Sequence, residues 1–159
     1  MQQRQPEPVL DELYRELILD HYKHPRHRNQ LEHADVVAEG YNPVCGDEVE
    51  IQLDFEGDRV TEIGIVGRGC SISQASGSMM SELVRGKAIA EIRRLTDEFK
   101  QMMTNPEGAP PEDLGDLEAL QGVGKFAVRV KCATLAWHTL EDGIQQHENG
   151  DGTVRREEL

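Results

Sequence analysis

The chain has 159 residues, the length of one ordinary domain, and 37% of them are hydrophobic, enough for a modest core. Its net charge of −13 argues against nucleic-acid binding, because phosphate contacts need clustered lysine and arginine. No stretch approaches the roughly 20 apolar residues of a membrane span, and the N-terminal Met-Gln-Gln-Arg-Gln-Pro-Glu-Pro lacks the apolar segment of a secretory signal. A cytoplasmic location is therefore expected. There thiols stay reduced, and three cysteines, an odd number, speak against a disulfide framework.

Leu10, Leu13, Tyr14, Leu17 and Ile18 recur at helical spacing, and Pro25 ends the pattern. His21, His24, His27 and His33 follow, interleaved with Arg26 and Arg28, and read as a solvated turn rather than a ligand cluster. Val36-Val37 suggests a short strand. Val49, Ile51, Leu53 and Phe55 alternate with Glu48, Glu50, Gln52, Asp54 and Glu56, the pattern of a half-buried strand. Gly57-Asp58 turns the chain into another strand through Val60, Ile63 and Ile65. Three short antiparallel strands need helices to cover their apolar face.

Beyond Cys70, Ile72, Ala75, Met79 and Leu83 predict a helix that begins almost on the cysteine. Another helix is expected from Ile89 to about Met103, broken by Thr104-Asn-Pro-Glu-Gly-Ala-Pro-Pro. A short acidic helix is expected from Glu112 to Leu120. The last helix is expected to start near Val130 and run through Leu135, Trp137 and Leu140, placing Cys132 in its first turn. From Gln145 the chain is polar, with Asn149-Gly-Asp-Gly. One domain over residues 8–143 and a disordered tail over 144–159 are expected.

The cysteines carry the chemistry. Cys45 stands in Asn-Pro-Val-Cys-Gly-Asp, Cys70 in Gly-Arg-Gly-Cys-Ser-Ile-Ser and Cys132 in Arg-Val-Lys-Cys-Ala. Taken singly, each is more often a small buried hydrophobe than a ligand. Their shared placement, at loop tips and helix starts, points instead to one convergent site. With the Asp47 carboxylate they form a set of three sulfurs and one oxygen, enough for a tetrahedral zinc ion. Asp47 is the one hard ligand among soft ones, which makes it the labile member. Arg129, Lys131 or Arg68 would offset the excess negative charge.

Three segments also resemble one family. Asn42-Pro-Val-Cys-Gly-Asp47, Gly67-Arg-Gly-Cys-Ser-Ile-Ser-Gln-Ala-Ser76 and Arg129-Val-Lys-Cys-Ala-Thr-Leu-Ala-Trp137 are similar to the iron–sulfur cluster assembly proteins IscU, SufU and the N-terminal domain of NifU. Asp20-His-Tyr-Lys-His-Pro-Arg26 matches too, so the likeness spans about Leu10 to Gly143. It implies an α+β fold, a small three-stranded antiparallel sheet with helices packed on one face. IscU-type scaffolds carry histidine immediately before the third cysteine, where Lys131 stands here, and lack the insertion around residues 104–121. Both features resemble the SufU type.

That resemblance implies a zinc-dependent sulfur acceptor, best described as a sulfurtransferase, acting with a pyridoxal-phosphate cysteine desulfurase of the SufS type. Zinc is the implied cofactor, held by Cys45, Asp47, Cys70 and Cys132. Cys45 is the expected sulfur acceptor, because its Pro/Gly loop moves more cheaply than a helix start. Arg129 and Lys131 are the expected supporting residues. Downstream cluster-assembly proteins are further implied partners. One alternative is a scaffold that builds a [2Fe–2S] cluster, or holds iron, on the same ligands. Another is a structural zinc module that recruits assembly partners.

Overall fold

Alternation of apolar and acidic residues from Asp47 to Glu56 produces the central strand of the sheet. The computed structural model describes residues 12–150 and 153–157. In chain order it contains α1 (Glu12–Lys23), β1 (Val36–Asn42), β2 (Asp47–Glu56), β3 (Arg59–Arg68), α2 (Ser71–Val84) and α3 (Ile89–Thr104). A 3-10 segment (Glu112–Lys125), α4 (Ala127–Asn149) and β4 (Thr153–Glu157) complete it. Leu10, at the start of the first expected helix, lies outside the described residues.

β1, β2 and β3 form the expected antiparallel meander, with Ala38 opposite Ile51 and Ile51 opposite Ile65. Ala38, Ile51, Leu53 and Ile63 are completely or almost completely buried on the face that carries the helices. α4 lies across β1 and β2, and α2 packs against β3. The close approach of α4 to β1 depends on Gly40, where a Cβ would overlap the Thr139 hydroxyl. On the opposite face, the backbone NH of Leu31 donates to Gln52 Oε1, and Asn29 O sits where a Cβ on Gly64 would fall. The 24–35 connection thus crosses that face without a helix.

Four features differ from the sequence expectations. First, β4 adds a fourth strand, parallel to β1, with Arg155 in register with Glu39. Second, α4 continues to Asn149, past the expected boundary at residue 143. Its polar end is held from outside: His147 stacks on Phe55 with centroids 3.6 Å apart and bonds Gly57 O, while Arg93 pairs with Glu148. Residues 144–149 continue α4 and residues 153–157 form β4. Third, α4 begins at Ala127, so Cys132 lies in its second turn, not its first. Fourth, the acidic helix is a 3-10 segment broken at Gly115, whose φ of 57° and ψ of −130° fit no helix.

The core joins these layers. Trp137 is fully buried on α4 and stacks on Phe99 of α3 at 4.8 Å. The 3-10 segment inserts Leu114, Leu117, Leu120 and Val123 into the same core. It is tied to α1 by Tyr14 Oη donating to Glu118 and to α3 by the Arg94–Asp113 pair. The insertion is a packed element that leads directly into α4.

Candidate metal centre

All three cysteines arrive at one end of the sheet, each by a different local route. Asn42 ends β1 and Asp47 begins β2, directly opposite each other in register. The four residues between them form a tight loop. Asn42 Oδ1 accepts from Val44 NH at 3.1 Å, and Asn42 O accepts from Gly46 NH at 2.7 Å. Gly46 has a φ of 75°, a conformation that side chains disfavour, which is why glycine follows Cys45. Cys45 itself is half-buried, and its neighbour Val44 is 66% exposed.

Cys70 ends the β3 connection and caps α2. Its backbone is extended, and Sγ accepts from Ser73 NH at 3.5 Å. A thiolate in that position faces the positive end of the helix dipole. Cys132 approaches from α4 and is fully buried. Its thiol donates to Cys45 Sγ at 3.5 Å.

Asp47 ties these routes together. Its Oδ1 accepts from Cys70 NH at 3.0 Å, while Oδ2 is buried with no partner. Gly69 leaves room for this carboxylate, since a Cβ there would overlap Asp47 Oδ1. Ligand atoms of Cys45, Asp47 and Cys132 all lie within 4.8 Å of one another. Cys70 is not part of that trio but adjoins it, through its bond to Asp47 and through its effect on Cys132.

Burial, followed by the neighbouring Cys45, Asp47 and Cys70, pushes the Cys132 thiol far above its ordinary range. The Arg129 guanidinium is held more firmly protonated, first by hydrogen bonding to Cys132 and then by the field of Cys70. The Arg129 charge therefore acts on all three sulfurs. Lys131 is exposed on α4.

These residues fit a thiophilic divalent cation. Two sulfurs and a buried, unpartnered carboxylate oxygen converge, a third sulfur adjoins them, and an arginine balances charge. A buried carboxylate oxygen without a donor is costly unless a cation takes that place. Cys45, Asp47, Cys70 and Cys132 are the residues able to hold such an ion.

The histidines divide. His33 is exposed and pairs with Asp35 at 3.0 Å and with Asp54 at 3.7 Å, as a solvated turn would have it. His21 is instead buried at 1% exposure, with Nδ1 2.7 Å from Ser78 Oγ and Nε2 3.4 Å from Asp116. It joins α1, α2 and the 3-10 segment. Its place on the inner face of α1, one turn beyond Leu17 and Ile18, is the helical signal that could have marked it.

Residues 13–133 match the NifU-like N terminal domain family. The chain belongs to that family. Among its relatives, the zinc-dependent sulfurtransferase SufU of Bacillus subtilis is 45% identical over 142 residues, covering 89% of this chain and 96% of that protein. The iron-sulfur cluster assembly scaffold protein IscU of Streptococcus pyogenes is 40% identical over 140 residues, covering 88% and 87%. A solved structure of an iron-sulfur cluster assembly scaffold protein for the SUF system from Fervidobacterium islandicum superposes with a TM-score of 0.75 at 35% identity, covering 81% and 94%. The NifU-like family fold thus extends over most of the chain. Among the described residues, no helix is long and apolar enough to cross a membrane.

Proposed function

We propose that this chain is a zinc-dependent sulfur acceptor in iron–sulfur cluster biogenesis. It would act in the cytoplasm with a pyridoxal-phosphate cysteine desulfurase. The observation that carries the reading is the buried, unpartnered Asp47 Oδ2 beside the Cys45–Cys132 sulfur pair. The relatives point the same way, since one of similar length is named a zinc-dependent sulfurtransferase.

Zinc bound by Cys45, Asp47, Cys70 and Cys132 would hold their sulfurs as thiolates near neutral pH. The protein's own residues supply the rest. Cys132 is fixed in the core and Cys70 at a helix cap, while Cys45 lies on a short loop beside solvent. Cys45 is thus the sulfur best placed to leave the group and meet a partner. Its thiolate attacks the terminal sulfur of the desulfurase persulfide. A bond forms between Cys45 Sγ and that sulfur as the bond to the desulfurase cysteine breaks, leaving a thiolate there. Arg129 keeps positive charge beside the transferring sulfurs. Val44, Phe126 and Val128 are exposed apolar side chains on the segments flanking Cys45 and Cys132, a surface suited to partner contact.

The test is desulfurase turnover with purified partner, with and without this protein in zinc-loaded and metal-free forms. Turnover rises with the zinc form, and Cys45→Ser or zinc removal abolishes the rise. Mass spectrometry after one turnover places the added sulfur on Cys45. Equal stimulation by metal-free protein, or a persulfide on Cys132 alone, overturns the mechanism. A stable [2Fe–2S] spectrum after anaerobic reconstitution, transferable to an apo-acceptor, would favour the scaffold role named for the IscU relative.

A further inference from the structure

β1 leads directly into the Cys45 loop, and its end is held on both edges. On one side it pairs with β2 as far as Asn42 opposite Asp47. On the other it pairs with β4, and the last pair there, Tyr41 with Glu157, stands one residue before Asn42. Asn42 closes the loop, accepting from Val44 NH through Oδ1 and from Gly46 NH through its carbonyl. In the sheet order β3-β2-β1-β4, β4 is the cover of β1. With β4 away, β1 would be an edge strand whose outer N–H and C=O groups lose their partners. A strand end in that condition frays, and the acceptors that shape the loop would move with it.

β4 has little to hold it. It has five residues and one neighbouring strand, whereas β2 has ten residues and two neighbours. Its pairing is parallel, the slightly weaker arrangement, and Val154 is the one apolar residue in Thr-Val-Arg-Arg-Glu. Gly150, with a φ of 86°, caps α4 and separates the helix from the strand. The end of α4 is anchored independently, by His147 on Phe55 and by Glu148 on Arg93. β4 can therefore leave β1 without unpinning the helix, at a cost well below that of opening the whole fold.

We propose that β4 is a strap on the Cys45 loop. Docked on β1, it stiffens the strand end that shapes the loop; released, it lets the loop and Cys45 move. The strap also joins the two halves of the centre, since it follows the helix of Cys132 and pairs with the strand of Cys45. Its release would ease the departure of Cys45 from the sulfur group, a consequence that rests on the sulfur-acceptor reading.

Hydrogen exchange on the metal-free full chain tests the strap apart from that reading. Successive strand residues turn their N–H groups to opposite edges. The double variant Val154→Pro/Arg155→Pro thus removes a bond to β1 whichever of the two makes it. Exchange at the Val44 and Gly46 amides should rise about tenfold, and Cys45 should react faster with iodoacetamide, read by mass spectrometry. Exchange at Ile65 of β3 and Leu135 of α4 should stay as in the wild type. A second variant, Arg155→Glu, keeps the ladder but sets like charges in register with Glu39, and should act in the same direction more weakly. If the proline variant loses its fold by circular dichroism, Arg155→Glu decides. A strand that merely adds stability would speed exchange at Ile65 and Leu135 as much as in the loop, and that result overturns the proposal. Loop amides that exchange as in the wild type in a folded variant overturn it as well.

Discussion

Cys132 and Cys45 touch, yet they belong to regions built on opposite principles. Cys132 sits on a 23-residue helix whose inner face, from Ala133 through Ile144, is packed into the core. Cys45 sits on a four-residue turn whose Val44 and Gly46 amides both donate to Asn42, next to an exposed valine. One sulfur is placed by the packing of its helix and the other by local backbone geometry. The difference separates holding from reaching. A site made only of the first kind would be closed, and one made only of the second would not be preorganised.

Replacing Trp137 by alanine strikes the fixed half hardest. The metal-free protein should lose about 3–5 kcal/mol of stability, read by urea denaturation. A loss near zero would mean that the core does not hold α4, and the contrast would collapse. Cys132→Ser tests the buried sulfur itself. Burying a hydroxyl in place of the thiol should cost the metal-free protein about 1–3 kcal/mol, whereas Cys45→Ser should change it by less than about 0.5 kcal/mol. Similar losses in the two serine variants would erase the distinction between the regions.

The smallest expected effect lies at the exposed apolar surface beside the two cysteines. Val44→Ala and Val128→Ala should each leave the melting temperature almost unchanged, within about 0.5 kcal/mol of stability. They should nonetheless weaken the stimulation of desulfurase turnover, read as a higher concentration for half-maximal effect. A strong loss of stability would show that these side chains serve the fold rather than a partner.

The meander was legible because period-two alternation from Val49 to Phe55 has few competing explanations. α2 was legible from its spacing and from the cysteine at its start. Other elements depended on tertiary partners that no local pattern announces. β4 is a five-residue run, Thr-Val-Arg-Arg-Glu, that becomes a strand only because the edge of β1 lies beside it. The end of α4 is polar and reads as tail, but His147 and Glu148 find Phe55 and Arg93 far away in sequence. The start of α4 is not legible in the sequence because Ala127 to Arg129 are exposed and lack the apolar periodicity that marks the buried part. At the site, the residue types were legible, while the uneven burial of Cys45 and Cys132 was not. Nor was the split engagement of Asn42, whose Oδ1 meets a donor in Val44 NH while its Nδ2 meets no acceptor.

The chain has a single tryptophan, and the fold sets it on the same helix as Cys132, little more than one turn away. Fully enclosed and lying against a phenylalanine ring, its indole should emit at the blue end of the range for proteins. Any shift of α4 as the sulfurs gain or lose their ion would change the emission colour or quenching. Loading and unloading of the centre can then be followed in real time on unlabelled protein, with no chromophore introduced.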